Sequence, residues 1–467
     1  MKTMFRPMVL VAAAALAAML GACSLTPAYQ QPEVALPAAW QDAPAADAPA
    51  IEIQWWRAYG SAELDALMKA ALAANHDLGA ALARIEQARA AARIARSALL
   101  PGAGLSASAS HDRRERDGQT SRSEDGQALL AVNYEVDLWG GNAAGAKAAQ
   151  ADLAASIYDR ASLELVLQSE VAATYFQVLA LKDRVAIAQR NVEVAQQLMH
   201  LVQARFNAGA ATALDLAQQR TALLASQAEI PALELSLKQT RHALAVLLGQ
   251  APQGFVVAGE SLAALQLPVV AAGEPAELLS RRPDIRAAEA RLIAADADIG
   301  AARAALYPSL DLSASAGVAG LIGGGATSLA SVAGSLAQTL FDGGSLRAGV
   351  RFSEAARQEL VEDYAQTVLI SLQEVADSLA GLNANAQRAE LLRHTAEQAA
   401  EALRLAQARY RAGAEDLLTV LDTQRSKLSA DDGLVQAQLA RYTAGVNLVK
   451  ALGGNGRPAA RSGLRKP

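Results

Sequence analysis

Five histidines and one cysteine are the residues of this 467-residue chain best suited to metal or nucleophilic chemistry. The histidines, His76, His111, His200, His242 and His394, are scattered, with no HxxxH pair and no cysteine beside them. That is not the spacing of a zinc site. No GxSxG is present to build a nucleophile elbow. Gly320-Leu321-Ile322-Gly323-Gly324-Gly325 lacks the Lys-Ser/Thr pair of a phosphate loop and reads as flexible loop. Arg281-Arg282 could face an anion, but Arg-Arg-Pro-Asp, with proline in the first turn, reads more simply as a helix start. No catalytic constellation emerges, so the chain is expected to be no enzyme and to need no cofactor and no metal.

Cys23 is the residue whose chemistry its surroundings do define. Lys2 and Arg6 give a positive start, and Val9 to Leu20 is an apolar run of about a dozen residues, too short to span a bilayer. The run ends in Leu20-Gly21-Ala22-Cys23, which resembles a bacterial lipobox, where the thiol accepts a diacylglycerol and the cysteine becomes the new N-terminus. Residues 1–22 then form a lipoprotein signal peptide, and Cys23 carries the covalent lipid. The alternative is an ordinary secretory signal with an incidental cysteine. The position of Cys23 at the small-residue cleavage point favours acylation, and Ser24 after it fits sorting to the outer membrane. Two or more acyl chains suffice for stable anchoring. With a single cysteine, no intrachain disulfide is possible.

The remaining elements are set by an unusual composition. The chain is 52% hydrophobic but only 4% aromatic, because alanine carries the apolar fraction. Alanine is the best helix former, which points to long, closely packed helices. A net charge of −5 with no basic stripe argues against nucleic acid as a partner. No stretch beyond the signal reaches 18 apolar residues without charge, so a membrane crossing by the mature chain must be a β-barrel.

An internal repeat organises the chain. Ala81 to Ser108 echoes Ala288 to Ser315, aligning Pro101 with Pro308, and QARFNAG at 203–209 returns as QARYRAG at 407–413. The chain thus holds two similar structural units, each reading helix, Pro, strand, polar loop, strand, very long helix, Gly turn, helix. Residues 23–50 form a lipid-anchored linker, 51–250 the first unit, 251–282 an equatorial segment, 283–453 the second unit and 454–467 a tail. The first long helix, about 143–208, has a stripe through Leu163, Leu167, Val171, Thr174, Val178, Leu181, Val185, Ala188, Val192, Ala195, Met199 and Val202. Its steps of four and three average near 3.5, the coiled-coil period. The second, about 347–412, repeats this from Leu360 and Tyr364 through Leu403, Ala406 and Tyr410.

Strand signals sit between the helices. Leu130, Val132, Tyr134, Val136 and Leu138 alternate with Ala131, Asn133, Glu135, Asp137 and Trp139, the period-two pattern of an apolar outer face and a polar lumen. The hairpins are expected at about 104–139 and 309–341, with charged loop His111 to Gln127 joining the first pair and Gly320 to Ser328 the second. Four strands cannot close a barrel, and an open sheet in lipid leaves its edges unsatisfied. Several copies must therefore close one barrel together.

Trp55-Trp56-Arg57-Ala58-Tyr59-Gly60, then Glu63-Leu64 and Ala70 through Asn75, resemble the opening motif of the TolC-like outer-membrane efflux channels, in their OprM/NodT-type lipoprotein branch. Leu278-Leu279-Ser280-Arg281-Arg282-Pro283-Asp284-Ile285-Arg286, continuing as AAEARLIAADADIGAARAALYPSLDLSASAG, is similar to that branch's signature. The likeness runs from the lipobox to about Gly453. The resemblance implies a mostly α fold with a β-barrel portion: a long coiled-coil helical α-barrel plus four transmembrane β-strands per chain, completed as a homotrimer with a twelve-stranded barrel. It implies the exit duct of a tripartite efflux system, passively passing drugs or other small molecules from an inner-membrane RND-type transporter and a periplasmic membrane-fusion adaptor. Its place is the outer membrane, lipid-anchored and extending into the periplasm. Gly209 and Gly413 match the helix-turn tips, where the tunnel narrows. By the same correspondence Asp422 is an inner acidic ring, Leu418 the apolar ring beside it, and Asp215 a gate-holding position. Thr419 stands where a TolC-like chain has a second aspartate, which puts a two-ring cation site in doubt. Three Asp422 carboxylates near one axis would repel one another unless protonated or bridged by a cation. Two other uses remain open: a poreless coiled-coil tether, or a duct for metal ions or secreted protein.

Overall fold

The computed structural model describes residues 25–42, 52–322 and 324–454. Cys23, the signal segment and most of the tail lie outside the described residues. The elements are helices α1 (Ala62–Ala74) and α2 (His76–Ser97), strands β1 (Gly102–Arg116) and β2 (Gln119–Val136), then α3 (Gly141–Asn207) and α4 (Ala213–Leu247). A second series comprises α5 (Pro283–Ala304), β3 (Ser309–Ala319), β4 (Thr327–Ala337), α6 (Ser345–Arg411) and α7 (Leu417–Ala451). Both α3 and α6 run 67 residues. No helix among the described residues is long and apolar enough to cross a membrane.

The helices form where the heptad stripes ask for them. In α3, Leu167, Val171, Val178, Leu181, Ala188, Val192, Ala195 and Val202 are all buried, and in α6 so are Tyr364, Val368, Val375, Ala389, Ala396, Leu403, Ala406 and Tyr410. Chain contacts divide the protein into two units. Among the described residues, one holds 25–33, 83–158 and 286–366, and the other 34–42, 52–82, 159–285 and 367–454.

The first unit carries the sheet, antiparallel in the order β1-β2-β3-β4. The register is unbroken from Gly102↔Asn133 to Arg116↔Gln119, and neither β2–β3 nor β3–β4 contains a bulge. Side-chain alternation therefore holds throughout. One face carries the rows Leu105-Leu130-Ala316-Ala330, Ala103-Val132-Ala314-Val332, Tyr134-Leu312-Gly334 and Val136-Leu310-Leu336. The other carries Gly104-Ala131-Ser315-Ser331, Gly102-Asn133-Ser313-Ala333 and Glu135-Asp311-Ser335. The first face is mainly apolar; the second is small and polar towards the foot of the sheet and carries the row Ser106-Leu129-Gly317-Leu329 above it.

The structure corrects the loop expected over His111 to Gln127. Both strands continue through it to a two-residue turn, Asp117-Gly118, with φ of 53° and 79°. Positive φ at both positions is the type I′ turn that matches strand twist, for which Asp-Gly is a favoured pair. Charged side chains hid a strand whose backbone had every reason to continue. At the other end β4 stops at Ala337, before the expected 341. There Asp342 turns the chain into α6 by accepting the N–H groups of Gly344 and Leu346.

At the foot of the sheet, Trp139 stacks on Tyr307 with centroids 4.7 Å apart and donates to the Pro308 carbonyl at 2.8 Å. Asp137 caps α3 through the Asn142 and Ala143 N–H groups. Ala148 and Ala151 of α3 pack on Ala294 and Ala297 of α5, small residues that let the backbones close in. Residues 25–33 lie against this unit. Tyr29 donates to Glu289, Gln31 to the Tyr364 hydroxyl, and Thr26 occupies the space a Cβ on Gly300 would need.

The second unit centres on Trp55, Trp56, Tyr59, Tyr175, Phe176 and Tyr442. Segment 251–282 is tied to it by backbone. Glu63 accepts from the Ala258 and Gly259 N–H groups, while Lys182 donates to the Val257 and Gly259 carbonyls. Burial and the neighbouring Glu63 push the Tyr175 phenol up to about 12. Arg282 is spent on structure: it is 6% exposed, pairs with Asp284 and Glu374, and donates to the Ala451 carbonyl. It is not an anion site.

Candidate periplasmic gate

Two chain reversals build the candidate site, both in the second unit. Gly209 and Gly413 each have φ of 76°. In each, the glycine N–H returns to the carbonyl three residues back and the next N–H to the carbonyl five back: Gly209 to Phe206 and Ala210 to Arg205, then Gly413 to Tyr410 and Ala414 to Arg409. This is a left-handed helix stop, which glycine adopts without Cβ strain.

Three residues later each partner helix begins, and the two starts use the same chemistry in opposite order. Thr212 caps α4, its hydroxyl accepting from the Asp215 N–H at 3.1 Å while Asp215 accepts from the Thr212 N–H at 2.7 Å. Asp416 caps α7 and accepts from the Thr419 N–H at 2.8 Å. That bond holds the Asp416 carboxyl below the usual range.

The tips are tied together by one arginine. Arg205 donates to the Tyr410 carbonyl at 2.9 Å and lies 4.6 Å over the Tyr410 ring. Its repeat counterpart Arg409 instead pairs with Glu415 at the surface. Behind them Leu198, Val202, Leu403, Tyr410, Leu417, Val420 and Leu421 form a closed apolar cluster. Gln219 donates to the Ala195 carbonyl, and Gln424 to the Asn191 side chain, locking α4 and α7 onto α3.

The gate residues expected from sequence fall into two groups. Leu418 and Asp422 lie one turn apart on the same face of α7, and both are exposed. Leu418 is 60% exposed, as is Leu214 of α4 at 65%. Asp422 has no hydrogen-bond or ion-pair partner among the described residues. Asp215 stands apart from both, its carboxylate engaged in the cap. Sequence reading missed Leu214, Arg205 and the reversed caps. The cap was visible as Thr212-x-x-Asp215 at one turn and Asp416-x-x-Thr419 at the other. Among the described residues no cluster of three metal-ligating side chains is present. The site presents a face, not a reaction centre.

Comparison with known proteins defines the class. The family described as "Outer membrane efflux protein" matches residues 67–250 and 275–454. The chain is 41% identical over 466 residues to the pyoverdine export outer membrane protein OpmQ of Pseudomonas aeruginosa, covering 96% of this chain and 97% of that one. It is 33% identical over 462 residues to the toluene efflux pump outer membrane protein TtgC of Pseudomonas putida, covering 95% of both. The solved outer-membrane channel OprN matches with a TM-score of 0.87 at 31% identity, over 92% of this chain and 99% of that one.

The fold and the matches define a TolC-like outer-membrane efflux channel, mostly helical with a small sheet. The chain belongs to the outer membrane efflux protein family, and like its members it is a transport conduit and not an enzyme.

Proposed function

We propose that three copies close a twelve-stranded barrel in the outer membrane and serve as the passive exit duct of a tripartite pump. The observation that carries this is the sheet: four strands, one mainly apolar face, one face mainly of small and polar residues, and two unpaired edges. In lipid such edges are tolerated only when another strand pairs with them. The apolar rows lie on the lipid side, and the Ser, Gly, Asn and Glu rows line the lumen. Cys23 would add a covalent lipid as a second anchor in the outer-membrane lipid. The periplasmic end would meet a membrane-fusion adaptor bridging to an inner-membrane RND-type transporter.

In this reading Leu418 and Asp422 form the innermost apolar and acidic rings of the closed tip. An unpartnered Asp422 and an exposed Leu418 on one face are what a ring of identical neighbours would use. Asp215 acts by holding the tip of α4. Two pyoverdine-export relatives stand at 41% and 42% identity, against 33% for the toluene pump component, which supports a pyoverdine-like cargo. The test is deletion of the gene followed by growth and secretion assays. Loss of a pyoverdine-like compound from the medium, restored by the intact chain, supports this cargo. Unchanged secretion with lost solvent or antibiotic tolerance assigns the duct to toxic compounds instead.

A further inference from the structure

The two most exposed large apolar side chains of the first unit sit just beyond the free edge strand. Leu340 is 92% exposed and Phe341 90%, in the link from β4 to α6. A phenylalanine left in water forgoes burial of an area on the order of 150 Å² or more. Across the sheet, beside the other free edge, Ile94 and Leu100 are 72% and 65% exposed, in α2 and the link from α2 to β1. Each patch adjoins an edge whose backbone groups want a partner.

The ladders say which surfaces meet. With an even number of strands, β1 and β4 run antiparallel, so β4 of one copy can pair with β1 of the next, head to tail around a ring. The row Gly102-Asn133-Ser313-Ala333 fixes the level of β4 against β1 within one chain. If strands stood upright, Ala337 would meet Ala98 of the partner subunit, before β1 begins. Barrel strands tilt by about 40°. Across four strands about 4.8 Å apart, this staggers the ladder by about 16 Å, or roughly five residues. Matching apolar face to apolar face requires an even shift, so about four or six. In one direction this sets Thr327–Ala337 wholly opposite β1, whose fifteen residues have the length to receive it. In the other it sets most of β4 against α2, which cannot pair. The first direction explains why β1 runs past the rows that its own β3 and β4 reach.

Continued past the strand ends, the same register brings Leu340 and Phe341 beside the link at about 98–101. We infer that Leu340 and Phe341 form an apolar key that seats against Leu99 and Leu100 of the partner subunit, closing the foot of each seam between copies. The inference rests on the trimeric barrel proposed above and deepens it. It assigns the contact to protein, where exposure alone would equally suit lipid tails.

The test is proximity cross-linking in the full-length chain in outer membranes. Leu100→Cys with Phe341→Cys, treated with a short bis-maleimide, should give covalent dimers and trimers after boiling. Neither single variant should do so in the presence of the native Cys23. A second pair, Ala103→Cys with Leu336→Cys, reports the strand seam alone. If the seam pair links and the Phe341 pair does not, the key is wrong while the barrel stands. If neither links and the protein migrates as a monomer, the trimeric reading falls with it. Phe341→Ala should also lower the temperature at which SDS-resistant trimers come apart, with Phe341→Leu restoring most of the loss. An unchanged dissociation temperature in Phe341→Ala would overturn the key.

Discussion

Asp416 caps α7 by accepting the Thr419 N–H at 2.8 Å, which is the mirror of Thr212 capping α4 and receiving Asp215. The two repeats have exchanged the residue types and keep a side-chain cap on the N–H three residues on; at Thr212 the cap is reciprocal, whereas the Thr419 hydroxyl turns to Glu415. Thr419, which departs from the aspartate of TolC-like chains, is thereby occupied as the third residue of a capped helix. It carries no carboxyl group for a second acidic ring, and its hydroxyl donates to Glu415.

The Asp416 cap predicts a pH-dependent stability at the start of α7. The Asp416 carboxyl is held below its ordinary value, so its stabilising contribution is complete above the unfolded value of about 3.9 and is lost as pH falls through the folded pKa. The difference in melting temperature between the native chain and Asp416→Ala should therefore shrink below about pH 4. Asp416→Ser should keep a cap without this dependence. Thr212→Ala should cost about 1 kcal/mol, read as local exchange at the start of α4.

Asp422→Ala should leave the trimer intact and raise single-channel conductance and antibiotic leak. Among the described residues the side chain has no hydrogen-bond or ion-pair partner, so its removal should not perturb folding. Unchanged conductance in a folded trimer would remove Asp422 from the gate.

Gly259→Ala should destabilise the second unit by about 1–3 kcal/mol. A Cβ there would stand 2.6 Å from the Tyr175 hydroxyl and 2.9 Å from Glu63, which clamps the same peptide. Thermal denaturation of the detergent-solubilised protein checks this, and a melting point equal to the native one would contradict the clamp.

Arg282→Met should cost about 2 kcal/mol, since it strands the partly buried Asp284 and Glu374 carboxylates and an Ala451 carbonyl. The loss should leave conductance per folded channel unchanged, because Arg282 touches no gate residue. A stability unchanged from the native protein would deny the hub.

Much of this architecture is legible in the sequence. The heptad stripe marks α3 and α6 because a long rod has only one solution to burying alternate third and fourth residues. The dyad alternation marks β2 because lipid and lumen make opposite demands on successive side chains. The upper half of β1 is not legible that way. His111 to Arg116 are charged on both faces, so hydropathy carries no period, and only Asp117-Gly118 announces the hairpin. The role of Arg282 is hidden for a different reason: its partners Glu374 and Ala451 are far away in sequence. At the gate, Asp422 and Leu418 can be placed on one face by spacing alone, whereas the tie from Arg205 to Tyr410 depends on how two tips meet.

The measurement that bears most directly on the account is planar-bilayer recording of the purified protein alongside its migration with and without heating. The account predicts a heat-modifiable trimer that inserts and conducts in uniform steps, with larger steps in Asp422→Ala. A folded single chain that stays monomeric in detergent and passes no current would contradict it.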